Sequence, residues 1–397
     1  MKRNIVASLL ALCAMASQAQ ETKNSNSAPL DSIIIEGVVK NIPDGTHIQI
    51  IRYKTQDAIV KDGKFRIALL PQQEEVIYAL RYQHSHLPIY AKPGMKIKVK
   101  GDDATFVAYW SVESDHFDQK ENNAYNQFVK DKLPDYYELE NKAFLANGRR
   151  LDESLTQEER DKANQEENIS LPQLLAFRKE KYNAAMLDFM KDRPFSKRMI
   201  DELRMIATYD QTPAIVEKAR EIFKRIPQEA MNEQLVRDIK ANLFANQAKV
   251  GEQMKDFTLF DREGKKHQLS EFKGKYTILE FTFVGCGGCM FIKPYLEEFY
   301  KRNKDKAEII AIYKDTKENW IKEGQEHKVS YHEWNDHQFS AEPVATYGVN
   351  AYPSFVIIDP NGKILDILEG AKSFANSIFK YIPDEEFEKK LKEAIKS

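Results

Sequence analysis

The chain has 397 residues, with 59 Lys+Arg against 61 Asp+Glu and a formal net charge of −2. So balanced a surface argues against nucleic acid as a partner, because phosphate binding rests on a basic field. With only three cysteines and 42% hydrophobic residues, the fold is expected to rest on buried apolar surface rather than on disulfide staples.

Met1-Lys2-Arg3-Asn4, the apolar stretch from Ile5 to Ala16, and Ser17-Gln18-Ala19 form the basic start, short core and small-residue cut of a secretory signal. Residues 1–19 are therefore expected to be removed, leaving Gln20 first. The apolar run falls short of the roughly 20 residues that span a bilayer. A lipoprotein signal ending at Cys13 is disfavoured by Leu12, where a small residue is normal. Cleavage takes Lys2 and Arg3, so 57 basic residues face 61 acidic ones and the net charge becomes −4. An exported, periplasmic protein follows, in which Cys286 and Cys289 are the only cysteines left.

The 378 residues that remain suggest two or three domains. Residues 31–110 carry short β-branched and aromatic runs: Ile33-Ile34-Ile35, His47 to Ile51, Phe65 to Leu69, Val76 to Leu80 and Ile97 to Lys100. Turn signals at Pro43-Asp44-Gly45, Asp62-Gly63 and Pro93-Gly94 separate them, which predicts a small antiparallel sandwich or barrel. His84 and His86 lie two apart, as metal ligands on one strand face would, but no third ligand accompanies them and they read as a solvated strand face.

From 113 to 249 the pattern turns helical, with Gly148 its only glycine. Leu171-Pro172 opens a run in which Leu175, Phe177, Tyr182, Met186, Phe189 and Met190 recur at helical spacing, closed by Asp192-Arg193-Pro194. Thr212-Pro213 and Ile226-Pro227 mark later breaks. The charged stretch Asp152 to Asn168 reads as an exposed loop or a solvated helix.

From 250 to 397 strands and helices alternate. Thr258-Leu259-Phe260 and Lys266 to Leu269 flank the turn Asp261 to Gly264. An apolar run, Tyr276 to Val284, predicts a buried strand, and Met290 to Tyr300 an amphipathic helix. Glu308 to Tyr313 is a further strand, Thr316 to Glu326 a helix, and Ser354–Asp359 with Lys363–Leu368 a hairpin around Pro360-Asn361-Gly362. The whole is expected to be a multidomain α+β protein: an N-terminal β sandwich or barrel, a central helical segment and a C-terminal mixed α/β domain. His327, His332 and His337, near Glu333 and Asp336, read as a polar loop rather than a metal site.

Between the strand and the helix stands Cys286-Gly287-Gly288-Cys289. Two thiols so spaced close a tight disulfide, and a loop this short removes little chain entropy, so a staple is a poor explanation. Thiolate is the nucleophile of disulfide exchange, and helix N-terminal amides stabilise it. Cys286 is thus expected to attack a substrate disulfide, and Cys289, one turn on and more buried, to resolve the mixed disulfide. Gly287 and Gly288 let amides approach the sulfur, at about 1 kcal/mol each in helix stability relative to Ala.

These residues carry a resemblance. Gly251 to Leu259 is similar to a "G-x-x-x-x-D-F-T-L" opening and Leu269 to Lys275 to an "L-S-x-x-K-G-K" turn. With the C-x-x-C, Pro294, Tyr347-Gly348-Val349, Tyr352-Pro353-Ser354-Phe355-Val356-Ile357, Asp359 and Gly362-Lys363, the segment 250–397 resembles the TlpA/ResA-like branch of the thioredoxin superfamily. The β-rich segment resembles, more loosely, the small β domain that often precedes such domains in exported bacterial proteins. The resemblance implies a thioredoxin-like fold, a cis Pro353 facing the disulfide, a Tyr352 backbone that pairs with a substrate strand, and a buried acid at Glu280 that takes the proton of Cys289. It departs from the family at Gly285, where Trp is usual, at Gly287-Gly288 between the cysteines, and at Ile292, where Glu is common.

The function expected is thiol–disulfide exchange on protein thiols and disulfides, with reduction favoured because that branch mostly reduces. No cofactor beyond the redox-active Cys286–Cys289 pair and no metal is expected. An electron donor, membrane-bound among the options, is implied but not named. A partner-binding scaffold with a weakly active domain and a thiol peroxidase are the alternatives; the latter needs a T-x-x-C that the chain lacks at both cysteines. Segments 31–110 and 113–249 carry no cysteine after the leader and no phosphate loop. Partner binding, homodimer contacts or placement of the redox site are their expected roles.

Overall fold

The computed structural model describes residues 32–52, 55–70, 76–105 and 107–395; the expected leader, residues 1–19 with Cys13, lies outside them. Contacts divide the chain into two compact units that meet between Met199 and Ile200. The break falls inside the helical segment rather than near 110 or 250.

The first unit opens with β1 (Ile33–Lys40), β2 (His47–Ile51), β3 (Gln56–Ile59), β4 (Lys64–Leu69), β5 (Val76–Tyr82), β6 (Ser85–Ala91), β7 (Lys96–Asp102) and β8 (Ser111–Glu113). They form two four-stranded sheets, ordered β4-β1-β7-β8 and β3-β2-β5-β6. Burial alternates along the strands, as in β4, where Lys64 and Arg66 face out while Phe65 and Ile67 face in. Ile33, Ile35, Ile48, Ile50, Leu80, Ile97 and Val99 fill one core, the interior of a sandwich. The sandwich is not wholly antiparallel: β1 pairs antiparallel with β4 on one side and parallel with β7 on the other. The two histidines are not a solvated strand face either. His84 sits in the β5–β6 turn with its Nδ1 3.6 Å from Asp152 Oδ2, both rings are partly buried, and burial pushes both below the usual histidine pKa.

Helices α1 (Phe117–Lys132), α2 (Pro134–Leu151), α3 (Gln157–Phe177) and α4 (Asn183–Met190) follow, with a π-helical turn at Arg178–Tyr182. The helix expected from Leu171 begins fourteen residues earlier. Thr156 and Glu159 cap α3 reciprocally, and it runs through Pro172. Its buried stripe is Ala163, Glu167, Ser170, Leu171 and Leu174, too polar in its first half to show as an apolar period.

Helix α5 (Lys197–Tyr209) crosses the break. The second unit continues with α6 (Pro213–Phe223) and α7 (Gln234–Phe244). Then come β9 (Leu259–Phe260), β10 (Lys266–His267), β11 (Tyr276–Thr282), α8 (Gly287–Asn303), β12 (Ala307–Tyr313), α9 (Lys317–Glu326), β13 (His332–Trp334), α10 (Ala341–Thr346), β14 (Ser354–Ile358), β15 (Ile364–Glu369), α11 (Gly370–Ser377) and α12 (Glu385–Ala394). A five-stranded sheet, β13-β12-β11-β14-β15, is parallel across β11, β12 and β13 and antiparallel at β14 and β15. Strand β11 is central and covered on both faces, which explains its continuous apolar run. Ile278 packs with Ile292, Leu296 and Phe299 of α8, whereas Leu279 and Phe281 pack with Trp334, Val344 and Tyr347.

The helices before residue 250 belong to this unit through specific contacts. Helix α7 lies on α10. Ala248 N donates to Thr346 O at 2.7 Å, and Lys314 Nζ lies 3.8 Å from Asp238 Oδ2. Among the described residues no helix is long and apolar enough to cross a membrane.

Candidate active site

Strand β11 delivers the chain to the site. After Thr282 it turns through Gly285, whose φ of +84° is open to glycine and strained for any other side chain. That conformation accounts for the missing tryptophan there. Cys286 is the N-cap of α8, its Sγ accepting from Cys289 N at 3.2 Å. The two sulfurs form a disulfide, with Cα atoms 5.2 Å apart. An anion on Cys286 would thus face the amides and positive end of a seventeen-residue helix. Cys289 was expected to be the more buried of the two. Instead both are nearly covered, at 5% and 4% exposure, while Gly285, Gly287 and Gly288 around them are exposed.

The Tyr352–Pro353 bond is cis, as the resemblance implies. It lies against the motif: a methyl group placed on Gly288 would stand 3.1 Å from Pro353 Cδ and 3.7 Å from Tyr352 O. The proline loop and the redox turn therefore face each other across the exposed rim of the disulfide.

Glu280, six residues before Cys286, is 2% exposed, on the same strand face as Ile278 and hence on the α8 side of the sheet. Burial raises its pKa from the usual 4.5 to about 8, the Lys293 charge opposing and the Glu333 charge adding to the shift. A second buried acid, Asp315, accepts from Val284 N at 2.7 Å and so ties the end of β12 to the redox turn. Burial lifts it to about 7, against the Val284 hydrogen bond and with help from Glu323.

Residues 250–367 match the AhpC/TSA family. The chain is 32% identical over 131 residues to the thiol-disulfide oxidoreductase ResA of Bacillus thuringiensis subsp. konkukian, covering 31% of this chain and 72% of that protein. It is also 32% identical over 136 residues to ResA of Geobacillus thermodenitrificans, covering 33% and 77%. The chain belongs to the ResA-like thiol-disulfide oxidoreductases. A solved thioredoxin domain of a thiol-disulfide oxidoreductase from Bacteroides vulgatus is 27% identical, covering 34% of this chain and 99% of that one, with a TM-score of 0.32.

This oxidoreductase holds more charge behind its redox helix than the sequence discloses. Lys293, on α8 one turn past Cys289, reaches Glu333 Oε1 at 3.1 Å, Tyr313 Oη at 3.2 Å and Glu323 Oε1 at 3.7 Å. Arg262 reaches Glu333 Oε2 at 2.8 Å. Helical spacing from Cys289 could have singled out Lys293; Arg262 and Glu333 are 71 positions apart and leave no local signal. Of the histidines near Glu333, His327 and His337 lie in loop segments as expected, and His332 does not. His332 belongs to β13, its Nε2 3.3 Å from Glu308 Oε2. His337 stacks on Phe260 with ring centres 4.4 Å apart. Glu323, Glu326 and His327 bring carboxylate and imidazole atoms within 4.8 Å, two of the three residues being exposed.

Proposed function

We propose that the protein is an exported oxidoreductase that reduces protein disulfides through Cys286 and Cys289. The disulfide seated at the N-terminus of α8 and facing a cis proline is the observation that carries this reading. In the dithiol state the Cys286 thiolate attacks one sulfur of a substrate disulfide, forming a mixed disulfide and expelling the other substrate sulfur as thiolate. Cys289 then loses its proton to the Glu280 carboxylate and attacks Cys286 Sγ. The Cys286–Cys289 bond forms, the substrate's second sulfur leaves, and two electrons have passed to the substrate. A thiol donor returns the pair to the dithiol, with protonated Glu280 supplying the proton to the departing Cys289 sulfur.

Pro353 and the Tyr352 backbone form the wall against which a substrate strand lies, and Gly285, Gly287 and Gly288 leave its sulfur room. Export rests on the leader-like residues 1–19. No bound cofactor is required for this chemistry, and the 32–199 unit would serve partner recognition or placement.

The reading is tested by trapping. Cys289→Ser, expressed with its leader, should accumulate mixed disulfides with exported proteins that dithiothreitol releases, whereas Cys286→Ser and the double variant should not. Equal capture by Cys286→Ser would overturn the assignment of the attacking thiol.

A further inference from the structure

Among the described residues the Glu280 side chain has no ion-pair or hydrogen-bond partner, yet it sits beside a network that has several. It lies in register with Ala311 of β12, which lies in register with Glu333 of β13, so both carboxyl groups stand on the α8 face of the sheet with one alanine between them. The Glu333 charge raises the Glu280 pKa and the Lys293 charge lowers it. Glu333 accepts from Tyr313 Oη at 2.7 Å, from Lys293 Nζ at 3.1 Å and from Arg262 Nη2 at 2.8 Å. The side chains of Lys293, Glu333 and Glu323 are 11%, 8% and 9% exposed, so solvent screens their charges little. Counting formal charge, two cations, Lys293 and Arg262, meet three carboxyl groups, Glu280, Glu323 and Glu333. Both cations are already committed to Glu333, and Lys293 also lies against Glu323. Glu280 is the carboxyl left over.

We propose that Glu333 and Lys293 are positioning residues that set, with opposite signs, when Glu280 gives up its proton. Glu333 adds negative charge near Glu280 and draws the Lys293 ammonium to itself, so it keeps Glu280 protonated. Lys293 favours the carboxylate. This rests on the proposed acid–base role of Glu280 and goes beyond it by naming what tunes that role.

The other titratable and charged groups that interact with members of this cluster are Tyr313 on β12, Tyr331 before β13, Glu297 on α8, Glu323 on α9, Asp315 after β12 and Arg262 in the β9–β10 turn. Burial holds both tyrosines above the usual phenol range, so they stay neutral as Glu280 titrates. Asp315, lifted to about 7, titrates in the same range as Glu280, so its carboxyl band is assigned separately with Asp315→Asn.

Opposite signs make a test that structural damage cannot imitate. The Glu280 carboxyl can be titrated by difference infrared spectroscopy, its signal being the protonated-carboxyl band that Glu280→Gln removes. The pH profile of insulin reduction is recorded in parallel. Glu333→Gln should lower the Glu280 midpoint by roughly one unit or more, the range expected for removing one nearby charge. Lys293→Met should raise it by a similar amount, and Lys293→Arg should restore it. Midpoints that move in the same direction, or that do not move, overturn the proposal. Glu333→Gln is isosteric and decides the sign alone if Lys293→Met does not fold. If Glu280→Gln leaves the rate profile unchanged, the acid–base role of Glu280 fails, while the infrared midpoints still judge the network.

Discussion

Gly288 and Pro353 meet so closely that a methyl group on the glycine would stand 3.1 Å from the proline Cδ, whereas one on Gly287 would touch nothing within 4 Å. Replacing glycine by alanine in a helix contributes up to about 1 kcal/mol. Gly287→Ala should therefore raise the denaturation midpoint. Gly288→Ala should gain less, because crowding at Pro353 offsets the propensity, and it should slow insulin reduction more than Gly287→Ala does. Urea midpoints and initial rates of the two variants check this; equal gains with equal rates would mean that the contact is soft.

Glu280 and Asp315 give the second unit a defined pH dependence. Each has a folded pKa, about 8 and about 7, above the ordinary carboxyl value. Between the ordinary and the folded value the native state holds a proton that the unfolded chain has lost. Their contribution to stability is therefore full in acid and falls as pH rises toward 7 and 8. At about 1.36 kcal/mol per unit, the Glu280 effect is a few kcal/mol. Glu280→Gln should flatten the fall of stability between about pH 5 and 8 and stabilise the protein on the alkaline side, with Asp315→Asn doing so less. Parallel curves for wild type and Glu280→Gln would show that the carboxyl is not desolvated in solution.

Helix α7 should be needed for a stable redox unit. Lys314, at the end of β12, is largely buried against Asp238 of α7, and Ala248 pairs with Thr346 on the main chain. Starting a fragment at residue 250 leaves both sites without partners. A fragment of residues 200–397 should melt near the full-length value for this unit, and one of 250–397 several degrees lower. Calorimetry of both checks this, and identical melting would place the functional boundary at 250 after all.

How much of this could be read from the sequence follows from range. The C-x-x-C, the strand before it and the helix after it are contiguous, and so were legible, as was the hairpin around Gly362. The burial of Glu280 was visible because its neighbours Leu279 and Phe281 are apolar on a central strand. The parallel β1–β7 pair was not, since nothing local distinguishes a return on the same edge in either direction. The continuity of helix α3 was not legible, because proline at 172 usually breaks a helix and so separates the charged stretch before it, read as a loop or a solvated helix, from the apolar run after it. The near-equal burial of Cys286 and Cys289 depends on elements that only the fold brings over them. The Arg262–Glu333–Lys293 network joins a turn, a strand and a helix, and no spacing rule reaches across them.

The most direct test of the central claim is insulin reduction by dithiothreitol with wild type, Cys286→Ser and Cys289→Ser at equal concentration. Wild type should accelerate precipitation of the insulin chains. Cys286→Ser should match the rate without protein, and Cys289→Ser should fall well below wild type while accumulating a mixed disulfide visible on a non-reducing gel. Acceleration by Cys286→Ser equal to that of wild type would contradict exchange chemistry at this pair.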